Sequence, residues 1–222
     1  DPQSMMDCTA LESSAGEFVI AWMGLNGFIL NGGIDIQQIQ LIAELDDASA
    51  FCHFALARVH LARREYERAF WCIESAISLN PNMATAYCAL GDSLAYQGRL
   101  DDAVEQFAKA IHLSPRDPMR WAYSSYCAIA HLFKRDFEAT IRWSDDATRF
   151  APGVYWPYAH KTAALGHLGR QENASRAVAE LLRRRPDFSI EFARRKLFFL
   201  DRPEQIALYL SGLERAGVPP NR

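Results

Sequence analysis

Between Ala50 and Pro186 the apolar and polar positions change over in blocks rather than residue by residue. The pattern is clearest from Ala84 to Pro115. Tyr87, Leu90 and Gly91 mark one face of a first segment, and Ala103, Phe107 and Ala110 mark one face of a second. Spacings of three and four residues put such positions on one side of a helix. Gln97-Gly98-Arg99 separates the two segments and supplies a tight turn, and Pro115 stops the second helix. Small residues at 91, 103 and 110 let two antiparallel helices approach closely, while larger apolar residues fill the gaps between them. No period-2 alternation is long enough to predict a strand, so the expected fold is all-α.

The same register recurs along the chain. Pro81, Pro115, Pro152 and Pro186 follow one another at intervals of 34, 37 and 34 residues. They divide the chain into units 50–83, 84–117, 118–154 and 155–186. The first unit places Leu56, Ala57, His60, Ala69, Ile73 and Ala76 at the matching positions. The third is degenerate, with Cys127, Ala128, His131, Thr140, Ser144 and Ala147, and carries about one extra turn at Arg116-Asp117-Pro118. The fourth has Tyr158, Thr162, Leu165, Gly169, Ala174, Val178 and Leu181. This pattern resembles the tetratricopeptide repeat (TPR), whose period is about 34 residues. The resemblance implies a right-handed superhelical solenoid of antiparallel helix pairs with helical caps. A chain of 222 residues at 50% hydrophobic content can bury such a core without a second domain.

The ends differ from the repeats. Residues 1–10 read as a tag remnant or a disordered N-terminus, with Met5 or Met6 as a native start. Phe18 to Leu30 is the most apolar stretch, but 13 residues interrupted by Gly24, Asn26 and Gly27 are too short to span a bilayer. Ile36, Ile39, Ile42 and Leu45 form one stripe, so residues 11–49 are expected to form a divergent helical hairpin. After Pro186, Phe188–Phe199 and Pro203–Ala216 read as two capping helices within residues 187–222. Phe199, Arg202, Pro203, Tyr209, Gly212, Leu213, Ala216, Gly217, Val218 and Pro219 make this end similar to that of the TPR regions attached to bacterial class III adenylate cyclases and winged-helix transcriptional regulators. That similarity implies a regulatory module, although no residue here resembles a cyclase centre or a winged helix.

Candidate chemistry is sparse. The five cysteines (8, 52, 72, 88 and 127) form no CxxC pair, which suits a reducing compartment rather than a disulfide framework or zinc site. His53 with His60 and His160 with His167 each share a helical face, yet no HExxH pattern accompanies them, so packing is the expected role. There is no phosphate-binding glycine motif. Asp101-Asp102 and Asp145-Asp146 diverge along their helices and read as solvated rather than catalytic. No catalytic residue, cofactor or metal is therefore expected.

What remains is a surface. The TPR resemblance implies that the first helix of each unit lines a concave groove. On that register the groove candidates are Phe51, Phe54 and Arg58, then Asp92 and Tyr96, then Ile129 and Phe133, and finally Trp156 and His167. Arg58 is the one member of the type that grips a terminal carboxylate, so an apolar or amphipathic protein segment is the expected occupant. The alternative is that the chain's own C-terminal helices fill the groove.

Charge adds one asymmetry. Residues 1–49 carry eight carboxylates and no Lys or Arg, whereas residues 170–222 carry eleven Lys and Arg against seven Asp and Glu. The overall charge of −3 and the position of Arg183-Arg184-Arg185 at a helix end argue against nucleic acid. The split allows acidic end to meet basic end in self-association. The expected function is a cytoplasmic, non-catalytic protein–protein interaction module: a regulatory TPR region of a bacterial adenylate cyclase or transcriptional regulator. A small-molecule or lipid-tail sensor and a free-standing TPR adaptor are the alternatives.

Overall fold

The computed structural model describes residues 49–221; the segments read above as a tag remnant, an apolar stretch and an N-terminal hairpin lie outside the described residues. Ten helices and no strand occur among the described residues. They are α1 (Ala50–Ala62), α2 (Tyr66–Leu79), α3 (Ala84–Tyr96), α4 (Leu100–Leu113), α5 (Arg120–Phe133), α6 (Phe137–Phe150), α7 (Trp156–Leu168), α8 (Gln171–Arg184), α9 (Ile190–Lys196) and α10 (Pro203–Ala216).

The first eight helices form four hairpins, and local chemistry sets both ends of each. The turn between the two helices of a hairpin needs one residue with positive φ. Arg64 (61°), Gly98 (84°), Arg135 (61°) and Gly169 (67°) supply it. The residue after each donates its N–H back to the first helix, as Arg99 does to the Leu94 carbonyl at 2.9 Å, satisfying a carbonyl that the helix end leaves open. At the far end, Asn80, Ser114, Ala151 and Arg185 are all extended (φ −136 to −140°), because the proline that follows each excludes helical geometry. The Tyr87 hydroxyl donates to the Pro81 carbonyl at 3.0 Å, and the Tyr158 hydroxyl to the Pro152 carbonyl at 3.2 Å, tying each helix to the junction before it. The extra residues of the third junction form an Asp117 turn. One carboxylate oxygen accepts from the Met119 N–H (2.8 Å) and the other from the Tyr123 hydroxyl (2.9 Å).

In the first three units the second helix packs between its own first helix and the first helix of the next unit, and in the fourth α8 packs on α7 and α10. First helices of successive units also touch one another, whereas second helices do not. The first helices therefore line the inner, concave side and the second helices splay on the outer side. The contacts within a hairpin depend on small residues: Ala69, Ala103 and Ala174 are fully buried, and a methyl on Gly91 would sit 2.6 Å from the Phe107 ring. Thr140 takes the corresponding place in the third unit and is also fully buried, its hydroxyl donating to the Asp136 carbonyl at 3.0 Å.

The C-terminal part departs from the expected pair of capping helices. The first is short, Ile190–Lys196, with Ser189 accepting the Phe192 N–H at 3.1 Å as its cap. Beyond it Leu197 and Leu200 are drawn into the interior, at 1% and 2% exposure, and burial of these two side chains outweighs continuation of the helix. The following α10 then lies across the inner helix α7 and also touches α5.

Candidate functional site

The inner face is built from four parallel first helices, so residues one repeat apart come side by side. Arg58 on α1 and Asp92 on α3 are such a pair, and the guanidinium donates directly to the carboxylate. Both are buried, with Arg58 5.7 Å from the centre of the Tyr126 ring. Burial works against the Arg58 charge, but Asp92, together with Tyr126 and Tyr96, offsets it and holds the guanidinium charged. Burial likewise pushes the Asp92 carboxyl up to about 6, against the pull of Arg58. Arg58 is thus committed within the chain rather than offered to a partner's carboxylate.

Other groove candidates are covered by the chain's own C-terminal segment. The Tyr96 ring lies 5.0 Å from that of Phe199. Trp156 meets Phe188 edge-on at 6.5 Å. The His167 ring stacks on Phe137 at 4.7 Å, and its Nε2–H donates to the Leu208 carbonyl at 2.8 Å. Phe54, Ile129 and Phe133 are buried, whereas Phe51 is 43% exposed. An open trough along the whole inner face is therefore not what the described residues form. Over α3, α5 and α7 the space is taken by Leu197–Ala216, which is the alternative occupant weighed from the sequence.

The segment Leu197–Ala216 is tied both to the hairpin turns and to α7. It crosses from the N-terminal end of α7 to the hairpin turns of the first two units. There the Arg202 guanidinium donates to the Gln97 carbonyl (2.7 Å) and the Gln205 amide to the Ala95 carbonyl (2.8 Å). The Tyr66 hydroxyl donates to the Phe199 carbonyl (3.2 Å), and Arg64 pairs with Asp201 (3.3 Å). Farther on, α10 crosses α7 at a glycine pair: a methyl on Gly166 would lie 2.0 Å from the Gly212 carbonyl oxygen.

The histidines of α7 join this contact, a role that their spacing of seven residues permits but does not specify. His160 is buried, and its Nδ1 and the Tyr209 hydroxyl are hydrogen-bonded at 2.8 Å. Burial pushes its imidazole down to about 3, so it is neutral at pH 7. The aspartate pairs are not simply solvated. Asp146 accepts from Ser124 (2.6 Å) and Arg120 (3.2 Å), joining α5 to α6, and Asp145 accepts from Lys161 (2.6 Å), joining α6 to α7. Asp101 pairs with Lys134 and Asp102 with Arg99. The basic residues near 184 are similarly engaged: Arg183 and Arg184 with Glu180, Arg185 with Asp187. Burial raises the Cys72 and Cys88 thiols and pushes Cys127 up to about 12, the opposite of an activated thiolate. Among the described residues no group of three His, Cys, Asp or Glu could hold a metal ion, and no helix is long and apolar enough to cross a membrane.

This geometry defines a helical-repeat solenoid of the tetratricopeptide type, and the comparisons agree. Residues 54–118 match the family model described as tetratricopeptide repeat. The Cell division cycle protein 27 homolog of Caenorhabditis elegans is 42% identical over 59 residues, which cover 27% of this chain and 8% of that protein. The Peroxisomal targeting signal receptor of Saccharomyces cerevisiae is 27% identical over 92 residues, covering 41% of this chain and 15% of the receptor. The chain thus spans only a small part of these relatives. Among solved structures, PilW, a type IV pilus biogenesis factor, superposes with a TM-score of 0.65 at 14% identity, covering 78% of this chain and 80% of PilW. YrrB, a TPR protein with an unusual peptide-binding site, gives 0.55 at 15% identity over 82% of this chain and 91% of YrrB. At such identities the superpositions establish the fold.

Proposed function

We propose that this chain is a non-catalytic protein–protein interaction module. The observation that carries the reading is the grip on its own C-terminal segment. Side chains bond main-chain carbonyls in both directions across the contact, Arg202 and Gln205 of the segment to the hairpin edge and Tyr66 of the hairpin edge to the segment, and Leu197 and Leu200 are buried. A repeat surface that holds a peptide segment through carbonyl bonds and apolar pockets has the chemistry for holding another. The module is either a free-standing TPR adaptor or a regulatory TPR region of a larger bacterial protein, such as a class III adenylate cyclase or a winged-helix regulator. The second context rests on Phe199, Arg202, Pro203 and the Gly217-Val218-Pro219 ending. That one of the relatives is a receptor for a targeting signal is in keeping with a binding role.

The test is site-specific photocrosslinking in the native cell from Phe51 and Trp71, on the first and second helices of the first unit, and from Tyr158 on the fourth. A discrete adduct with one other protein at one or more positions is the expected result. Crosslinks confined to the chain itself at all three positions would overturn the reading.

A further inference from the structure

The inner face is filled over three units, but the outer face retains an open space. Second helices of successive units do not touch, and between α6 and α8 this splay leaves a trough of about 360 Å³. Ile141, Leu165 and Ala177 are the apolar members of its lining. Lys161, Arg170 and Arg176 stand around them, while the lining contains a single carboxylate, Glu180. Glu180 is already held by both Arg183 and Arg184. The carboxylates that steady the three cations, Asp145, Glu138 and Glu172, are not part of the lining.

We infer that this outer trough is a docking site for an acidic peptide segment of a partner protein, one that presents an apolar side chain flanked by carboxylates. The apolar side chain enters over Ile141, Leu165 and Ala177, and its flanking carboxylates meet Lys161, Arg170 and Arg176. Volume is adequate, since sites of about 300 Å³ and above accept a compact group. The existing ion pairs do not preclude the exchange. Arg170 and Arg176 are 46% and 73% exposed, and pairs at such exposure are weak and salt-screened. They hold the cations in place over the trough until a better-placed carboxylate arrives. A nucleic acid fits less well. The single aromatic ring of the lining, Tyr158, is covered by the Arg184 guanidinium at 3.8 Å, so no base can stack there.

This inference rests on the interaction-module reading and names one kind of partner for it. The test uses the full chain and three fluorescein-labelled probes: a Glu-Glu-Leu-Phe repeat decamer, its Lys-Lys-Leu-Phe counterpart, and a single-stranded oligothymidine. Anisotropy at low salt is expected to show saturable binding of the acidic peptide alone, weakening as salt rises. Lys161→Gln with Arg170→Gln and Arg176→Gln is expected to weaken it about tenfold while leaving the circular dichroism unchanged. Ala177→Arg, which blocks the trough without removing a cation, is expected to do the same. Equal binding of the two peptides, tighter binding of the oligothymidine, or indifference to both variants would overturn the assignment. So would absence of acidic-peptide binding up to millimolar concentration. An approximately tenfold gain on neutralising Asp7, Glu12 and Glu17 would overturn it too, by making the chain's own acidic segment the occupant. A partner crosslinked from Phe51 or Trp71 alongside a silent trough would reject only the trough and leave the broader reading standing.

Discussion

The glycine crossing between α7 and α10 decides whether the C-terminal segment is a fixed part of the inner face. Replacing Gly166 with Ala isolates that crossing. In an exposed helix the change is favourable by about 1 kcal/mol, because alanine loses less backbone freedom on folding. Here the new methyl lies 2.0 Å from the Gly212 carbonyl oxygen and 2.8 Å from the Ala216 nitrogen. Both are backbone atoms of one helix, so no side-chain rotation relieves the overlap and α10 as a whole must lift. That lift loosens Leu208, Tyr209, Leu210 and Leu213, all buried. Overpacking of this kind costs about 1–3 kcal/mol, and more when the backbone must move. Because the backbone must move, the upper end of about 3 kcal/mol applies, and subtracting the propensity gain of about 1 kcal/mol leaves a net loss of about 2 kcal/mol, or roughly 4–8 °C in Tm for a chain of this size. Thermal denaturation followed by circular dichroism measures the loss, and hydrogen exchange of residues 203–216 locates it. Gly153→Ala is the control, since nothing lies within 4 Å of its added methyl; it should stay within about 0.5 kcal/mol of the parent. A Gly166→Ala protein as stable as the parent, or more so, would refute the close crossing.

Other outcomes follow from the same packing. Ala103→Leu adds bulk at a fully buried hairpin contact and should cost about 1–3 kcal/mol in chemical denaturation; an unchanged midpoint would show the repeat register to be misassigned. Asp92→Leu removes the buried carboxylate that offsets the Arg58 charge and should cost about 3–5 kcal/mol, whereas Asp92→Leu combined with Arg58→Met should recover most of it. If the double variant is no better than the single, the cost does not come from loss of this ion pair. His160 titrates near 6.5 when unfolded and at about 3 when folded, so the unfolded chain binds more protons between those values. Its contribution to stability is complete above pH 6.5 and declines as the pH falls below it, by up to about 1.4 kcal/mol per pH unit. His160→Gln should flatten that part of the stability–pH curve, and an unaltered curve would place the titration elsewhere.

The repeat hairpins were legible because their determinants are local. A proline every 34 to 37 residues, a turn after each first helix and small residues at fixed places are properties of short segments, and any one unit specifies its own hairpin. Even so, Arg64 and Arg135 adopt the left-handed turn conformation without the glycine that marks it at Gly98 and Gly169. At these two positions the packing of the hairpin overrides an arginine's preference for negative φ. The inner-face candidates could be placed on one register from the sequence, but which atoms would cover them could not. That outcome depends on contacts such as Gln205 with Ala95 and Tyr209 with His160, 110 and 49 residues apart, and no local pattern encodes them. Gly166 and Gly212 each read as an ordinary helical glycine until α10 is laid across α7. The outer trough is equally tertiary, because it is the gap left by two helices that each pack on a third and never on each other. Sequence determined the unit and its repetition; only the assembled chain decided which face is filled and which remains open, because that choice is made by burial between segments far apart along it.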